Sequence, residues 1–488
     1  MGSIAAIQYC AITAILLVST IVSSDDKSPI PADPSSLNTW FQDNVKPLAD
    51  RKGTIDPDLE AAEAKPRTIK VRQDGSGEFK TLKAAINSIP TGNRERVIVD
   101  IGPGEYIEKL KIERGKPFVT FFGSPGNNPT LSFDGTAKEY GTVYSATLEA
   151  EADYFVAANV IFKNSASRPN GELKGEQAVA LRIAGDKSAF YNCRFIGFQD
   201  TLCDDKGRHL FKNCYIEGTV DYIFWNGKSL YLGTELHVIG DKNGNFITAH
   251  ARNSEAEDTG FSFVHCKVDG TGAKGAYLGR AWQARPRVVF SYTSMSSVVN
   301  PEGWSNNFHP ERDQTALFAE YRCEGEGANP AGRAKSSKQL TPDQAAPFIS
   351  LGFIEGSKWL LHPPIRSSIH LPMLLCLWAR KKLIDSPVKG SPIFHGGSFF
   401  LCVSENLKVH ITATRVVRVA KLVTVAEKSL SRPNTASMRS KSNTKLRQDL
   451  MTAEQKAHVL SVSASSEDIY GNPVRGLTGH AENWSFLT

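Results

Sequence analysis

Short runs of strand-forming residues, separated by Gly, Asn, Asp or Pro, follow one another through residues 67–360. Val, Ile, Phe and Tyr dominate runs such as RVIVDI, SLYLGTELHVI and RVVFSYTSM. Helical periodicity is confined to FKTLKAAINSIP, with a second short helix predicted at LNTWFQDNVKPLA. Strand-forming runs that end in turn residues predict an all-β domain built from short strands.

The runs also resemble one another. FYNCRFIG at 190–197 and FKNCYIEG at 211–218 share Phe, Asn, Cys and Gly at an offset of 21 residues, and FVHCKVDG at 263–270 repeats the shape. Repeats of this length with one set of strands each indicate a solenoid whose coils stack on one another. The sequence therefore predicts a right-handed single-stranded parallel β-helix. A β-sandwich with chance similarity is the alternative.

The same offset connects two acids. Asp200 in GFQDTL and Asp221 in GTVDYIF are 21 residues apart, so we expect equivalent positions on adjacent coils, each on an extended segment. Neighbouring strands lie about 4.8 Å apart. Two carboxylates at that distance cannot both ionise easily, so one should hold a raised pKa, as a proton donor beside a nucleophile does. The alternative is a pair of acids on a solvated face, where like charges across strands would be destabilising.

Amide, cationic and aromatic side chains are expected around this pair. Gln199 adjoins Asp200, and Gln177 lies about one coil upstream. Amide N–H groups can stabilise an oxyanion. Arg280 could hold one aspartate ionised, and Trp282, two residues later on the same face, could stack on a sugar. The alternatives are surface glutamines, a surface salt bridge and a packed tryptophan.

Charge and cysteine content exclude some classes of protein. The chain of 488 residues has a net charge of +6, but residues 361–488 hold 17 Lys and Arg against 8 Asp and Glu, a net charge of +9. Residues 1–360 therefore carry −3 and lack the clustered basic face of a nucleic-acid-binding protein. The five cysteines of the β-rich part are too few for a disulfide scaffold, although one or two bridges are open, and no C-x-x-C pair indicates zinc.

Four segments are predicted along the chain. The apolar stretch 11–22 is too short to span a bilayer and ends in small residues, so residues 1–24 are predicted to be a signal peptide. The Lys or Arg that usually precedes the apolar stretch of a signal peptide is missing here. An N-terminal core or interfacial segment is the alternative. Residues 25–66 form a leader, 67–360 the β-helix domain, and 361–488 a basic, poorly structured tail of doubtful origin.

Five ordered motifs carry a family resemblance. GEYIEK (104–109), GEQAVALR (175–182), GFQDTL (197–202), GTVDYIF (218–224) and YLGRAW (277–282) resemble the signature blocks of plant pectinesterases. The resemblance covers residues 67–360 and matches the short form without an inhibitor-like pro-region. It implies a parallel β-helix that hydrolyses methyl esters of cell-wall pectin (homogalacturonan) and releases methanol, without a metal or an organic cofactor.

The resemblance also implies surroundings and partners. It implies a protein secreted to the cell wall that acts on methylated polygalacturonate. It implies no nucleic-acid partner and no membrane association after signal cleavage. A proteinaceous pectinesterase inhibitor is a further potential partner.

Residue roles follow from the resemblance by matching position. Asp221 would be the nucleophile, and Asp200 would protonate the departing methanol and then activate water. Gln177 and Gln199 would stabilise the oxyanion, and Arg280 would orient Asp221. The substrate would contact Thr142, Gln177, Phe224, Arg280 and Trp282.

One departure from the family pattern bears on activity. Trp225 stands where the family usually has a small glycine after the D-x-I-F motif, so we expect it to narrow the cleft and reduce turnover, with an added sugar platform as the alternative. A catalytically impaired polysaccharide-binding β-helix is therefore the competing function. A depolymerising lyase or glycosidase, to which the adjacent Asp204 and Asp205 could point, is a third.

Overall fold

The computed structural model describes residues 25–171, 174–241, 244–272, 274–362, 398–404 and 407–412. The chain divides into two compact units, Met1–Pro364 and Ile365–Thr488. The predicted signal peptide, residues 1–24, lies outside the described residues, as does most of the predicted tail.

Three parallel sheets build the first unit. The long sheet contains Arg67–Val71, Val97–Ile101, Val119–Gly123, Val156–Ala158, Ser188–Tyr191, Arg208–Lys212, Lys228–Leu232, Gly260–Val264, Arg287–Ser291, Leu317–Tyr321 and Lys338–Gln339. The side sheet contains Glu105–Ile107, Thr130–Phe133, Ile161–Asn164, Arg194–Ile196, Tyr215–Gly218, Glu235–Val238, Lys267–Gly270 and Ser294–Met295. The site sheet contains Leu110–Ile112, Leu148–Ala150, Leu181–Ile183, Leu202–Asp204, Val220–Trp225, Asn245–His250, Ala276–Arg280 and Trp304–Ser305.

From Val97 to Ser305 each coil contributes one strand to each sheet, in the order long sheet, side sheet, site sheet, and the long sheet has three more strands at its ends. Phe190 pairs with Phe211 in the long sheet, and Leu202 pairs with Ile223 in the site sheet, both at the predicted offset of 21 residues. Every pairing within these three sheets is parallel. The predicted parallel β-helix is thus confirmed, and the β-sandwich is wrong.

The repeated Asn marks a corner of the coil. Most predicted runs are two strands rather than one, joined where the chain turns from the long sheet into the side sheet. The turning residue has a left-handed φ of 50° to 63° in coil after coil: Asn159, Asn192, Asn213, Gly233, His265, Tyr292 and Arg322. Asn and Gly tolerate this conformation better than other residues, which explains why the sequence repeat carries Asn at this point.

An aromatic ladder fills the core beside the long sheet. Phe211 stacks on Phe190 with ring centroids 4.7 Å apart and on Tyr231 at 4.6 Å. Tyr231 stacks on Phe263, and Phe263 on Phe290, both at 4.4 Å. Such pairs contribute about 0.5–1.5 kcal/mol each beyond their burial and favour one register between coils. The ladder therefore helps to fix which residue lies above which.

Helices cover the outer face of the long sheet and close the main core. The α-helices are Leu37–Asn44, Pro57–Glu63, Leu82–Asn87, Ala137–Tyr140 and Pro342–Ala345. The 3-10 helices are Asp25–Lys27, Pro34–Ser36, Leu48–Asp50, Thr142–Ser145, Pro310–Gln314, Glu326–Ala328, Pro330–Gly332, Ala346–Phe348, Leu351–Ile354 and Gly356–Lys358. Trp40, Phe41 and Leu59 pack with Phe353 in a second core outside the long sheet. Both predicted helices are present, as Leu37–Asn44 and Leu82–Asn87.

In the second unit, Ser398–Ser404 and Leu407–Thr412 form an antiparallel hairpin. None of the helices in the described part of the chain has the length and hydrophobicity needed to cross a bilayer. The five cysteines between residues 25 and 362 are free thiols: Cys193, Cys203, Cys214, Cys266 and Cys323.

The left-handed corner predicts a simple stability test at Asn213, whose φ is 53°. Asn213→Ala should lower the free energy of unfolding by about 1–2 kcal/mol, because a Cβ without a polar side chain disfavours this conformation. Asn213→Gly should change it by less than about 1 kcal/mol. Urea unfolding measures both variants. Equal losses from the two substitutions would contradict the backbone explanation.

Candidate active site

The eight predicted site residues lie around one cleft on the outer side of the site sheet. The cleft has a volume of about 420 Å³. Its lining includes Thr142, Gln177, Gln199, Asp200, Asp221, Phe224, Arg280 and Trp282. Residues far apart in the sequence meet here because parallel coils stack their equivalent positions.

The two aspartates depart from the expected extended conformation. Asp200 lies in the turn before strand Leu202–Asp204 and has a φ of 66°. Asp221 lies within strand Val220–Trp225, at a φ of 50°, where the pairing with the next strand is irregular. The Asp200 amide donates to the Val220 carbonyl at 3.0 Å, which holds the two backbones together. The predicted positions on adjacent coils are correct, but the extended backbone is wrong, since both residues adopt the left-handed conformation that Asp tolerates.

Arg280 binds Asp221 through two nitrogens. Its Nε donates to Oδ1 of Asp221 at 2.7 Å, and its Nη2 donates to Oδ2. The guanidinium lies over the ring of Phe246 at 4.9 Å and that of Trp282 at 5.0 Å. The side chain of Arg280 thus extends across strand Asn245–His250, which lies between the two residues in the site sheet, and contacts both rings where it binds Asp221. The bidentate pair and the two ring contacts together fix the position of the arginine.

Burial and charge act differently on the two carboxyl groups. Asp200 is 7% exposed and Asp221 is 5% exposed. Burial raises the pKa of Asp200 well above its ordinary value, and the charge of Asp221 raises it further. Burial also raises the pKa of Asp221, but the charge and hydrogen bonds of Arg280 oppose that rise. The arrangement therefore favours a proton on Asp200 and a negative charge on Asp221.

The two glutamines offer donors to the cleft. Both are half-buried, and neither side-chain amide has a hydrogen-bond partner among the described residues. The Ala178 amide donates to the Gln199 carbonyl at 3.2 Å, which joins the turns that carry the glutamines on adjacent coils. Their N–H groups are therefore available to a ligand next to the carboxyl pair.

The cleft has two chemically different sides. One side is aromatic, with Tyr144, Phe224, Trp225 and Trp282. The other side opens into a second, more polar cleft of about 450 Å³, with Lys174, Glu176 and Asp241 among its lining residues. Gln177, Gln199 and Arg280 line both sides. A chain-like ligand could therefore cross the aspartate pair and contact both sides.

Comparison with known proteins identifies the family. The family model described as Pectinesterase matches residues 68–357. Probable pectinesterase 49 from Arabidopsis thaliana is 53% identical over 356 residues, which cover 72% of this chain and 98% of that protein. Pectinesterase 2 from Olea europaea is 53% identical over 352 residues, covering 72% and 96%. The structure of pectin methylesterase from carrot matches with a TM-score of 0.57 and 30% identity, covering 62% of this chain and 97% of that one.

The chain belongs to the pectinesterase family. The resemblance, the fold class and the enzyme class predicted from the sequence are confirmed by this membership. The family membership also favours pectinesterase activity over that of a lyase or a glycosidase and over a non-catalytic binding role.

The structure gives separate positions to the two acids that suggested a glycosidase. Asp204 is fully buried in the core, where it accepts hydrogen bonds from Tyr231 and contacts His209, both at 2.6 Å. Asp205 instead pairs with Arg182 at 2.8 Å. In the described part of the chain, no group of three or more His, Cys, Asp and Glu side chains is arranged to hold a metal ion.

The sequence analysis missed three residues of this pectinesterase site. The ring of Phe246 contacts the guanidinium of Arg280, and Asn307 accepts a hydrogen bond from Nη1 of Arg280 at 3.1 Å. Tyr144 lines the aromatic side and is 51% exposed. Tyr144 follows Thr142 by two residues, so its motif could have indicated it. Asn307 lies 27 residues after Arg280 in a loop without a motif, and only the fold brings the two together.

Trp225 occupies a backbone position that suits glycine. Its φ is 90°, and its indole lines the cleft with 36% of its surface exposed. The indole meets the ring of Phe224 edge to face, with centroids 6.0 Å apart. A residue with a Cβ is strained at this φ, whereas glycine is not, which gives a physical reason for the glycine that the family pattern has here. Trp225 therefore adds both backbone strain and an aromatic wall.

The buried acid pair predicts opposite effects on stability. Because the pKa of Asp200 is raised in the folded chain, its ordinary value being 3.8, folding loses stability as pH rises above that value. Asp200→Asn removes this cost and should raise the melting temperature at neutral pH, with the gain vanishing near pH 3.8. Asp221→Ala should lower it, because Arg280 loses its buried counter-charge.

Thermal unfolding of both variants between pH 3.5 and 7.5 checks this prediction. A gain from Asp200→Asn that does not change with pH would contradict it, since that gain would come from packing rather than from a buried charge.

Proposed function

We propose that this pectinesterase hydrolyses the methyl esters of homogalacturonan with Asp221 as nucleophile and Asp200 as acid and base. One observation carries the assignment: of two acids on adjacent coils, Arg280 binds only Asp221. Identical side chains thus receive different protonation states, which is what a two-carboxyl ester hydrolysis requires.

The first half-reaction transfers the acyl group to the enzyme. An oxygen of Asp221 attacks the ester carbonyl carbon, and the carbonyl electrons move to the oxygen. Gln177 and Gln199 donate N–H groups to this oxyanion, a contribution of about 10²–10³-fold per donor. When the intermediate collapses, the bond to the methoxy oxygen breaks, and that oxygen takes the proton of Asp200 to leave as methanol.

The second half-reaction restores the enzyme. Asp200, now ionised, accepts a proton from water, and the hydroxide attacks the carbonyl of the anhydride between Asp221 and the sugar. The bond to Asp221 breaks and releases the galacturonic acid unit, whose new carboxyl group then loses its proton to solvent. Asp200 is again protonated and Asp221 again charged. This requirement gives a bell-shaped pH dependence, with the acid limb set by Asp221 and the alkaline limb by Asp200.

The aromatic side of the cleft suits the sugar rings of the polymer. Trp282, Phe224 and Tyr144 present ring faces and edges to the cleft, on which the C–H faces of pyranose rings can pack. Thr142 lies on the same side. We infer that these residues hold the galacturonate units next to the ester under attack.

The proposed substrate sets the proposed location. Pectin is a cell-wall polymer, so the enzyme acts outside the cell, and the predicted signal peptide at residues 1–24 supplies the route. We also propose that the mature enzyme is not held in a membrane. A proteinaceous pectinesterase inhibitor, the further partner implied by the resemblance, would compete with pectin for this cleft.

Asp221→Ala should abolish methanol release from methylated pectin, by at least about 10⁴-fold, because no other group forms the acyl-enzyme. An enzymatic assay of methanol measures the rate, and circular dichroism verifies that the variant is folded. The exposed Asp134→Asn serves as the matched control and should retain wild-type activity. Substantial methanol release from folded Asp221→Ala would refute the nucleophile.

Trp225→Gly should raise the rate of methanol release about two- to tenfold, because it relieves the backbone strain and widens the cleft. The measurement is kcat and KM on highly methylated pectin, with the melting temperature as a check on folding. An unchanged rate would refute the hypothesis that Trp225 reduces turnover. A rise in KM without a gain in kcat would instead indicate a sugar platform.

A further inference from the structure

We propose that Asn307 is a positioning residue whose side-chain oxygen fixes the Arg280 guanidinium in the orientation that faces Asp221. The proposal deepens the function proposed above and rests on it. Asn307 lies outside the five motifs of the family resemblance, in the loop that follows strand Trp304–Ser305.

The contacts of Arg280 show what Asn307 adds. Nε and Nη2 face the carboxylate of Asp221, and the guanidinium carbon lies 4.9 Å from the ring centroid of Phe246 and 5.0 Å from that of Trp282. Nη1 points away from the carboxylate and donates to Oδ1 of Asn307 at 3.1 Å. This hydrogen bond therefore adds a third restraint on rotation of the guanidinium within its own plane, besides the two to Asp221.

Asn307 is itself held in place by the strand that pairs with the Arg280 strand. Its backbone amide donates to Oγ of Ser305 at 3.1 Å, and Ser305 pairs with Arg280 in the site sheet. Farther along the loop, Nη1 of Arg312 donates to the carbonyl of Ala281 at 2.6 Å and to that of Trp282 at 3.1 Å. The loop is therefore attached to the Arg280 segment at two points, and Asn307 lies between them.

The chemistry of the acceptor supports a positioning role. An amide oxygen orients a guanidinium without neutralising it, so Arg280 keeps its full charge for Asp221. A carboxylate at the same place would share that charge. Asn also tolerates the φ of 57° at this position, which most other residues with an oxygen acceptor do not.

Other titratable groups lie near the site, on the flanking coils and on the Asn307 loop. Asp200, Cys203, Asp204 and His250 lie on the coil segments that flank strand Val220–Trp225, and burial keeps Cys203 and His250 neutral by raising the pKa of the thiol and lowering that of the imidazole to about 3. His309, Glu311, Arg312 and Asp313 lie on the Asn307 loop. Substitution of Asn307 leaves all of these side chains in place.

The adjacent Phe308 provides a matched control. Phe308 has a φ of 61° and is 97% exposed, so the backbone accepts glycine at position 308 as it does at position 307. Asn307→Gly removes the acceptor for Arg280, whereas Phe308→Gly removes an exposed ring. Asn307→Asp keeps an acceptor but adds a competing charge.

The test is the pH dependence of kcat and kcat/KM for methanol release from methylated pectin. In Asn307→Gly and Asn307→Asp, the acid limb should move to higher pH by roughly 0.5–1 unit, because Asp221 is held less firmly in its charged form. KM at the pH optimum should change by less than about twofold. Phe308→Gly should superimpose on the wild type.

An acid limb that stays in place in both Asn307 variants would overturn the proposal, and so would an equal shift in Phe308→Gly. Wild-type enzyme in the same assay separates this result from a failure of the proposed function. Release by the wild type with unshifted variants contradicts only the role of Asn307. No release by the wild type would overturn the function and the positioning role together.

Discussion

Parallel stacking of adjacent coils is the constraint on which the site depends. Backbone hydrogen bonds between coils and the aromatic ladder of the core fix the register at an offset of 21 residues, as the pairing of Phe190 with Phe211 shows. The same register places Asp200 next to Asp221. A slip of one residue would separate the two acids and turn one of them towards the other face of the sheet. The catalytic geometry is therefore a consequence of core packing that lies well away from the cleft.

The fold holds two unfavourable features at this point. Two acids are buried side by side, and both adopt left-handed backbone conformations. Sites of this kind persist only where the surrounding structure determines them strongly. Here the surrounding structure consists of parallel pairing on both sides of strand Val220–Trp225, interrupted only around Asp221, together with Arg280 and the aromatic ring of Phe246 beside it. The differing charge environments of the two acids then divide the roles between them.

Much of this could be predicted from the sequence because the repeat and the motifs are local signals. The recurring Phe, Asn and Cys gave the length of a coil, and that length alone predicted that Asp200 and Asp221 are neighbours. The sequence could not show that runs such as SAFYNCRFIGF divide into two strands, because the division depends on the left-handed Asn192 rather than on hydrophobic periodicity. Nor could it show the conformation of the two aspartates.

The contacts that sequence analysis missed join distant parts of the chain. Asn307 meets Arg280 only because Ser305 pairs with Arg280 across one coil's length of chain, and no local pattern encodes that pairing. Trp225 was noticed as a departure from the family motif. Its φ of 90°, which explains why the family favours glycine there, is a property of the folded strand. Motifs identify residues that react, whereas the residues that hold them in place require the fold.

The central claim is that one proton resides on Asp200 while Asp221 is ionised. Neutron diffraction from deuterium-exchanged crystals at near-neutral pH measures this directly. We predict a deuterium on a carboxyl oxygen of Asp200, none on Asp221, and a fully deuterated Arg280 facing Asp221. A deuterium on Asp221, or two bare carboxylates, would contradict the account.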